Sequence, residues 1–385
     1  MSHLYRLSPL EIASGLVFGC DRSPRDPPSP PGETPIAALE RAVLPALERP
    51  PCLVSFSGGR DSSAILAVAT RVACREGLPL PVPATNRFPG DEHAGEAAWQ
   101  ERVVSHLRLP DWFRNDVDDE LDCVGPVATE TLRRHGLLWP FNAHFHVPLL
   151  GAAAGGALLT GVGGDEALSP TRWARAADVL SRRVPPRRRD VLAVSLALAP
   201  RPLRAPVLRG RLDVSFPWLR PRSAKRVLNA WAWEGAGEPL RWAPRYSWWR
   251  SLRYVQVGQQ SLGVLAADVN VRIVHPFATP AFSDALALIP PAARFGDRTA
   301  AMTMLFGDLL PREVLGRVSK ASYDEAFFNR HSRVLVARWR EEGVDLDHVD
   351  AVALRRTWSE AEPDPRSFLL LQAAWLTQER GDRAS

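Results

Sequence analysis

A short apolar run leads directly into a glycine turn and then into a helical pattern early in this 385-residue chain. The apolar run is residues 52–56, the turn is Ser57-Gly58-Gly59, and residues 62–75 have apolar side chains at helical spacing. A continuously apolar strand is typical of a parallel sheet that is covered on both faces. The sequence therefore predicts a buried parallel strand whose following helix packs against the same sheet.

The alternation of strand and helix patterns continues up to about residue 160. Further strands are predicted at residues 80–85, 111–115 and 157–160, and helices at residues 36–48, 92–107, 118–135 and 141–154. Strands that alternate with helices imply crossover connections and an α/β fold with a doubly wound parallel sheet. Ligands of such sheets bind at the carboxyl ends of the strands. The glycine turns are therefore expected at the ligand-binding edge.

Composition divides the chain into three parts. Residues 1–50 form a short N-terminal segment with a proline-rich linker, and residues 51–180 the predicted ligand-binding α/β domain. Beyond residue 180 the strand signal fades, so residues 181–385 are predicted to form a mainly helical lobe that completes the site. Six of the thirteen tryptophans lie in residues 218–253 among basic side chains, where helix packing is expected rather than stacking on nucleic-acid bases.

The first glycine turn has the composition of a phosphate-binding loop. Two glycines let the backbone approach an anion closely, and the start of the next helix provides unpaired amide groups. The alternative is an ordinary tight turn with Asp61 as a helix cap. Because hydroxyl and carboxylate groups are also concentrated here, we favour phosphate binding. The candidate ligands are Ser57, Gly58, Gly59, Asp61, Ser62 and Ser63.

The apolar strand predicted at residues 157–160 also ends in glycines and acidic residues. On its own this second turn is equally compatible with a glycine-rich turn closed by a capping aspartate. Two such turns on one sheet edge make Asp61 and Asp165 a candidate pair of ligands for Mg²⁺, which binds carboxylate oxygens. The candidate residues of the second turn are Gly161, Gly163, Gly164, Asp165 and Glu166.

The formal net charge of +5 comes almost entirely from arginine, since only Lys225 and Lys320 are lysine. This bias argues against a selected nucleic-acid-binding face, and it indicates that a surviving lysine is needed for its compact ammonium. No apolar run reaches the ~18 residues of a membrane span, so a cytoplasmic protein without a membrane role is expected. Cys52 and Cys74 lie in apolar stretches and are expected to be buried thiols.

These motifs resemble those of the asparagine synthetase family, within the wider PP-loop ATP pyrophosphatase group. The group's Ser-Gly-Gly-x-Asp-Ser loop is matched by residues 57–62, and the synthetase branch's Ser/Thr-Gly-x-Gly-Ser/Gly-Asp-Glu segment by residues 160–166. A late family segment is matched by Arg272, Pro276 and Phe277, then by Leu310-Pro311 and Arg317-Val318-Ser319-Lys320. The resemblance extends from about residue 51 to residue 323.

The resemblance implies a PP-loop fold, similar to the adenine nucleotide alpha hydrolases, and an ATP-dependent amide-forming ligase. It implies that Asp61 and Asp165 coordinate Mg²⁺ on the ATP pyrophosphate, and that Gly161 and the strand ending at Phe56 line the adenosine. Lys320 would act in catalysis near the α-phosphate, and Asp165 and Glu166 belong to the same catalytic set. A carboxylate would be activated as an acyl-adenylate, with pyrophosphate and AMP released, and then joined to ammonia or a substrate amine.

Three departures from the family pattern affect the substrate prediction. Residue 2 is Ser2 where asparagine synthetases have a cysteine nucleophile, so no glutaminase activity is expected. Val162 replaces the glutamate of asparagine synthetases and the tyrosine of β-lactam synthetases, and Thr279 stands where the family has aspartate. Either the substrates are not aspartate and glutamine-derived ammonia, or a separate partner protein completes the reaction. The expected substrates are a small-molecule or peptide carboxylate and an amine donor.

Two other functions compete with this interpretation. PP-loop thiolases and lysidine synthetases, which modify tRNA, share the first loop, but the second motif and the missing catalytic cysteine pair count against them. A non-catalytic nucleotide-binding partner in a biosynthetic complex is disfavoured by the presence of Asp61, Asp165 and Lys320. His144 and His146 resemble a metal-ligand pair, but two histidines without a third ligand in register are more often structural.

Overall fold

The computed structural model describes residues 6–21, 30, 32–88, 96–289, 297–317 and 324–384. Its centre is a sheet of five parallel strands, in the order β3-β2-β1-β4-β5. The strands are β1 (Cys52–Ser55), β2 (Val82–Arg87), β3 (Phe113–Asp116), β4 (Ala157–Leu159) and β5 (Arg272–Val274). The predicted α/β fold with a parallel sheet is confirmed.

Helices cover both faces of this sheet. The helices of the first part of the chain are α1 (Pro9–Ser14), α2 (Pro35–Leu47), α3 (Arg60–Glu76), α4 (Glu96–His106), α5 (Pro126–His135), α6 (Val147–Ala152) and α7 (Gly164–Leu168), and of these α2, α3, α4 and α6 contribute to the cores on the two faces of the sheet. Successive residues of a strand point to opposite faces. Val54 and Leu159 accordingly pack in the core formed with α2, α3 and α4, whereas Leu53 and Leu158 pack in the core formed with α6. The sheet is therefore doubly wound.

The order of the strands reverses at β1. Strands β2 and β3 lie on one side of it, whereas β4 is its neighbour on the other side, with Leu53 opposite Leu158. The segments that follow β1 and β4 therefore leave the sheet side by side at its carboxyl edge. Ligands of open α/β sheets bind at this kind of switch point.

Most of the chain beyond residue 170 is helical, as predicted, but it also contributes a strand. Strand β5 pairs with β4 through residues 272–274, and the sequence pattern did not reveal it. The predicted boundary at residue 180 stays a prediction. The helices are α8 (Ala174–Leu180), α9 (Asp190–Leu198), α10 (Arg201–Gly210), α11 (Pro221–Ala236), α12 (Trp242–Arg250), α13 (Arg253–Asp268), α14 (Pro280–Ala287), α15 (Arg298–Phe306), α16 (Arg312–Leu315), α17 (Arg330–Arg338), α18 (Ala351–Trp358) and α19 (Phe368–Ala384).

A second core joins the two ends of the chain. Trp218, Trp358 and Phe368 are almost fully buried in it, together with side chains of α1 and α19. The indole Nε1 of Trp218 donates a 2.8 Å hydrogen bond to the carbonyl oxygen of Ala13. Trp249 is also buried, in the sheet core, whereas Trp233 is 46% exposed. Most described tryptophans of residues 218–253 thus pack between helices, as expected.

Two predicted helices differ from the structure. The helix predicted at residues 118–135 begins only at Pro126, a residue favoured in the first turn because it has no N–H group. The residues before it turn around the buried Asp122, whose carboxylate accepts bonds from the Asn329 and Ser332 amides at 2.8 and 3.0 Å. The helix predicted at residues 141–154 is a 3₁₀ helix (Ala143–His146) followed by α6.

Burial corrects one expectation for the cysteines. Cys52 is buried as predicted, but Cys74 is exposed, because it lies on the outer side of α3. In the described part of the chain, no helix is both long enough and apolar enough to cross a membrane.

Candidate active site

The first glycine turn connects β1 to the N-terminus of α3. Gly58 has a φ of +77°, and a Cβ atom there would lie 2.8 Å from Cγ of Gln100, so glycine is required. The hydroxyl oxygens of Ser57 and Ser62 are 3.2 Å apart, and the Gly59 amide donates to Oγ of Ser57 at 3.3 Å. Backbone amides and hydroxyls thus converge at the start of a 17-residue helix, an arrangement that binds anions.

Ser63 differs from the other residues of this turn. Its side chain is fully buried, and its Oγ atom has no hydrogen-bond partner among the described residues. The structure therefore brings Ser57, Gly58, Gly59 and Ser62 together around the helix start, and it places Ser63 behind them.

The second glycine turn follows β4 and packs against the first. A Cβ atom on Gly164 would lie 2.4 Å from Cγ of Asp61, and one on Gly161 would lie 3.0 Å from the Ser62 amide nitrogen. Glycine at these positions therefore allows the two turns to touch. Gly163 has a φ of +96° and packs against Tyr246. The glycines of the second turn are therefore needed for the close contact between the two turns, and not only for phosphate binding.

The acidic residues of the two turns meet at one arginine. Nη2 of Arg298 donates to both carboxylate oxygens of Asp61, each at 2.7 Å. Nη1 of the same side chain donates to Oδ1 of Asp165. The side chains of Asp61 and Arg298 are 17% and 18% exposed, whereas that of Asp165 is 44% exposed. The predicted pair of carboxylates is therefore brought together, with a guanidinium between them.

The electrostatic surroundings of these acids are unusual. Burial raises the pKa of Asp61, and the neighbouring Asp165 raises it further, while Arg298 opposes the shift. Burial also raises the pKa of Glu166, the next acidic residue of the second turn. The main-chain oxygen of Glu166 accepts a 2.8 Å bond from Nη1 of Arg245, which fixes the first turn of α7. A cation near Asp61 therefore stabilises the charged form of its carboxylate.

The donor set of the two turns suits Mg²⁺ bound together with phosphates. This ion usually takes one or two carboxylates and completes its coordination with phosphate oxygens and water. Asp61 and Asp165 supply two such carboxylates beside an anion-binding helix start. Within the described ranges, no cluster of three or more His, Cys, Asp or Glu side chains is placed to hold a metal ion by itself.

A buried arginine joins the helical lobe to the first glycine turn. Nη1 of Arg317 donates to the carbonyl oxygen of Gly58 at 3.1 Å, and the guanidinium also pairs with Glu96 at the start of α4. Lys320 itself lies outside the described residues, as does Ser2.

A pair of histidines lies beside the second turn, on the β5 side. Nδ1 of His275, the residue after β5, is 2.6 Å from Oγ1 of Thr160, the residue after β4. Burial lowers the pKa of His275 to about 4, and the adjacent His146 adds to the shift. Burial likewise lowers the pKa of His146 to about 4. These imidazoles are therefore neutral near pH 7.

Two of the three positions that depart from the family pattern, residues 162 and 279, lie in the described part of the chain. Val162 is 39% exposed on the second turn, so it presents an apolar surface beside the site. Oγ1 of Thr279 accepts from the Phe282 amide at 3.4 Å, so Thr279 caps α14 as an aspartate would. The ring of His144 is buried, and its Nε2 lies 2.9 Å from the carbonyl oxygen of Leu121. That contact supports the structural role expected for His144.

Comparison with protein-family models gives a match to asparagine synthase over residues 37–376. The chain belongs to the asparagine synthase family. No curated protein matches the chain significantly. The matched span includes both glycine turns, Arg298 and the segment that contains Lys320. Membership of the asparagine synthase family supports an ATP-dependent synthetase of the amide-forming kind, as the motifs predicted.

Sequence reasoning missed Arg298 in this asparagine synthase-family site. One signal was available, because Asp297-Arg298 starts a helical pattern with an arginine where the helix dipole disfavours a cation. Arg317 was recognised only as part of a motif, and its contact with Gly58 was not foreseen. The contact between His275 and Thr160 had no local signal, since the two residues are 115 positions apart.

Proposed function

We propose that this member of the asparagine synthase family is an ATP-dependent amide ligase that activates a carboxylate as an acyl-adenylate. The observation that carries the proposal is the meeting of two glycine turns at the β1/β4 switch point, with Asp61 and Asp165 on one guanidinium. A carboxylate is a poor acyl donor because oxide is a poor leaving group, whereas AMP is a good one. Forming the adenylate therefore leaves the protein mainly with positioning and charge stabilisation.

In the first step, a carboxylate oxygen of the substrate attacks the α-phosphorus of ATP, and the bond to the bridging β-phosphate oxygen breaks to release pyrophosphate. The amides at the start of α3 and the hydroxyls of Ser57 and Ser62 bind phosphate oxygens of the nucleotide. Asp61 and Asp165 would hold Mg²⁺, which when bound neutralises charge on the pyrophosphate. Lys320 stabilises the charge that develops at the α-phosphate.

In the second step, the amine nitrogen attacks the acyl carbon, AMP leaves through its phosphate oxygen, and the nitrogen loses a proton. We assign the amine-binding side of the site to the second turn and its neighbours on the β5 side. The residues there are Thr160, the apolar Val162 and His275. The neutral imidazole of His275 holds a hydrogen bond there without adding charge. The amine is ammonia, a group of the same substrate, or one supplied by a partner protein in the cytoplasm.

The transfer of oxygen tests this proposal directly. The protein is incubated with ATP, Mg²⁺ and a panel of small-molecule and peptide carboxylates, with and without amines, and AMP and pyrophosphate are measured. A productive acid that carries ¹⁸O in its carboxylate should deliver one labelled oxygen to AMP. Release of ADP and phosphate, or of AMP without label, would contradict the adenylate.

A further inference from the structure

Arg298 is in an electrostatically unfavourable position within its own helix. It is the first residue of α15, directly after the cap Asp297, whose carboxylate accepts a 2.8 Å bond from the Ala300 amide. The N-terminal end of a helix carries a partial positive charge that repels a cation. The ion pairs with Asp61 and Asp165 offset this repulsion. Arg298 therefore stabilises the arrangement of the two turns and does not stabilise its own helix.

The guanidinium uses the oxygen atoms that a divalent ion would need. Both carboxylate oxygens of Asp61 and Oδ1 of Asp165 accept hydrogen bonds from Arg298. Carboxylates held this close repel each other unless a positive charge lies between them. A metal ion and a guanidinium cannot occupy that position together.

We propose that Arg298 is a positioning residue that pairs the two carboxylates before nucleotide binds and releases them to the divalent ion that accompanies ATP. The inference rests on the proposed function, because it concerns the same two carboxylates. Arg298 keeps the acidic turns together in the free protein and lowers their affinity for an ion that arrives alone. ATP adds phosphate oxygens as ligands, which shifts the competition towards the ion.

Binding of Mn²⁺ alone tests the competition without any turnover. Free Mn²⁺ is measured by electron paramagnetic resonance during titration of the full chain without nucleotide. Arg298→Gln should bind Mn²⁺ roughly tenfold more tightly than the wild type, which corresponds to about 1.4 kcal/mol of competition removed. Arg298→Lys should bind Mn²⁺ with an affinity between those of the wild type and Arg298→Gln. An ammonium keeps the positive charge but lacks the two terminal nitrogens with which the guanidinium reaches both carboxylates.

Two further variants control for general effects. Arg253→Gln removes an arginine that is also 18% exposed and also pairs with a buried carboxylate, but that carboxylate belongs to Glu11 of α1 and not to either glycine turn. It should lower the melting temperature and leave the Mn²⁺ affinity at the wild-type value. Arg298→Gln combined with Asp61→Asn should lose the gain in Mn²⁺ affinity, because one of the two carboxylates is gone.

Unchanged or weaker Mn²⁺ binding by Arg298→Gln would overturn the inference, as would a gain that survives the added Asp61→Asn change. If Arg298→Gln does not fold, the test uses Arg298→Lys instead. A wild-type affinity of that variant for Mn²⁺ would then contradict the proposed competition between the guanidinium and the ion. ATP binding by the wild type is measured in parallel in the presence of Mg²⁺. Failure of that binding rejects the proposed function, whereas a failed Mn²⁺ gain with intact ATP binding rejects only the role of Arg298.

Discussion

Asp61 and Asp165 share one cation but differ in their surroundings. The Asp61 carboxylate is 17% exposed and the Asp165 carboxylate 44% exposed, so Asp61 depends more on a partner for its charge. Both acids were predicted from the turns that contain them, since aspartate after a strand and glycines is recognisable locally. Arg298 was not predicted, because its partners lie 133 and 237 positions away along the chain.

Removing the charge of either carboxylate should stop catalysis while the fold remains. Asp61→Asn and Asp165→Asn keep the shape of the side chain but remove a hard anionic ligand for Mg²⁺. Each should lower pyrophosphate release by roughly two orders of magnitude or more, the size of effect expected for lost charge stabilisation. The matched control is Asp116→Asn, at the end of β3 on the same sheet edge and 63% exposed, which should turn over normally. Normal turnover by either site variant would exclude the two-carboxylate site.

Lys320 should act in the chemical step rather than in nucleotide affinity. Arg317, which precedes Lys320 by three positions in the same sequence motif, donates to the Gly58 carbonyl oxygen of the first glycine turn. Lys320→Ala should slow kcat by two or more orders of magnitude, about 3 kcal/mol of transition-state stabilisation, with little change in the Kd for ATP. Lys320→Arg should fail as well, because a guanidinium is bulkier and directs its charge differently.

The other lysine of the chain provides the control for this prediction. Lys225 is exposed on α11, so Lys225→Ala should leave turnover unchanged. Near-normal activity of Lys320→Arg would show that Lys320 is only a surface cation.

At the scale of elements, two segments brace the first glycine turn: α4 from the first part of the chain and the segment after α16 from the helical lobe. Gln100 of α4 donates from Nε2 to the Ser57 carbonyl oxygen at 3.2 Å, and Arg317 joins Glu96 to Gly58. The α4 helix was predicted from its periodicity, but periodicity cannot show what a helix end contacts. Strand β5 was missed for a related reason, since three residues at the sheet edge carry too little pattern without β4 beside them.

The pair formed by Glu96 and Arg317 should contribute measurably to stability. The Arg317 side chain is 4% exposed and that of Glu96 12% exposed, so the pair is shielded from water. Glu96→Gln removes the negative partner of a buried guanidinium and should cost on the order of 3 kcal/mol in urea unfolding. Glu101→Gln, on the exposed side of the same helix, is the control and should stay within about 0.5 kcal/mol of the wild type. Equal stability of the two variants would mean that the pair contributes nothing.

At the scale of the whole molecule, both parts of the chain build the site. The turns come from the first 170 residues, whereas Arg298, Arg317 and His275 come from the later part. The sheet and the acidic turns were predictable because each depends on neighbouring residues. The contacts that residues of the later part make with the turns were not predictable, because they depend on how helices far apart in sequence pack together.

The buried histidines should make the stability of the fold depend on pH. Burial lowers the pKa of His275 from 6.5 to about 4. Between these values the unfolded chain binds more protons than the folded chain, so the free energy of unfolding falls as the pH drops through this window. One such histidine contributes on the order of 2 kcal/mol to the loss between pH 7 and pH 5.

Replacing His275 should therefore flatten the pH dependence of stability. His275→Asn keeps a hydrogen-bonding group near Oγ1 of Thr160 but cannot titrate, so its unfolding free energy should fall less between pH 7 and pH 5 than that of the wild type. Urea unfolding at the two pH values measures the difference. His106→Asn, which replaces an exposed histidine of α4, should keep the wild-type dependence. The same loss in His275→Asn as in the wild type would show that protonation of His275 does not limit acid stability, because the imidazole would then be accommodated in its charged form within the fold.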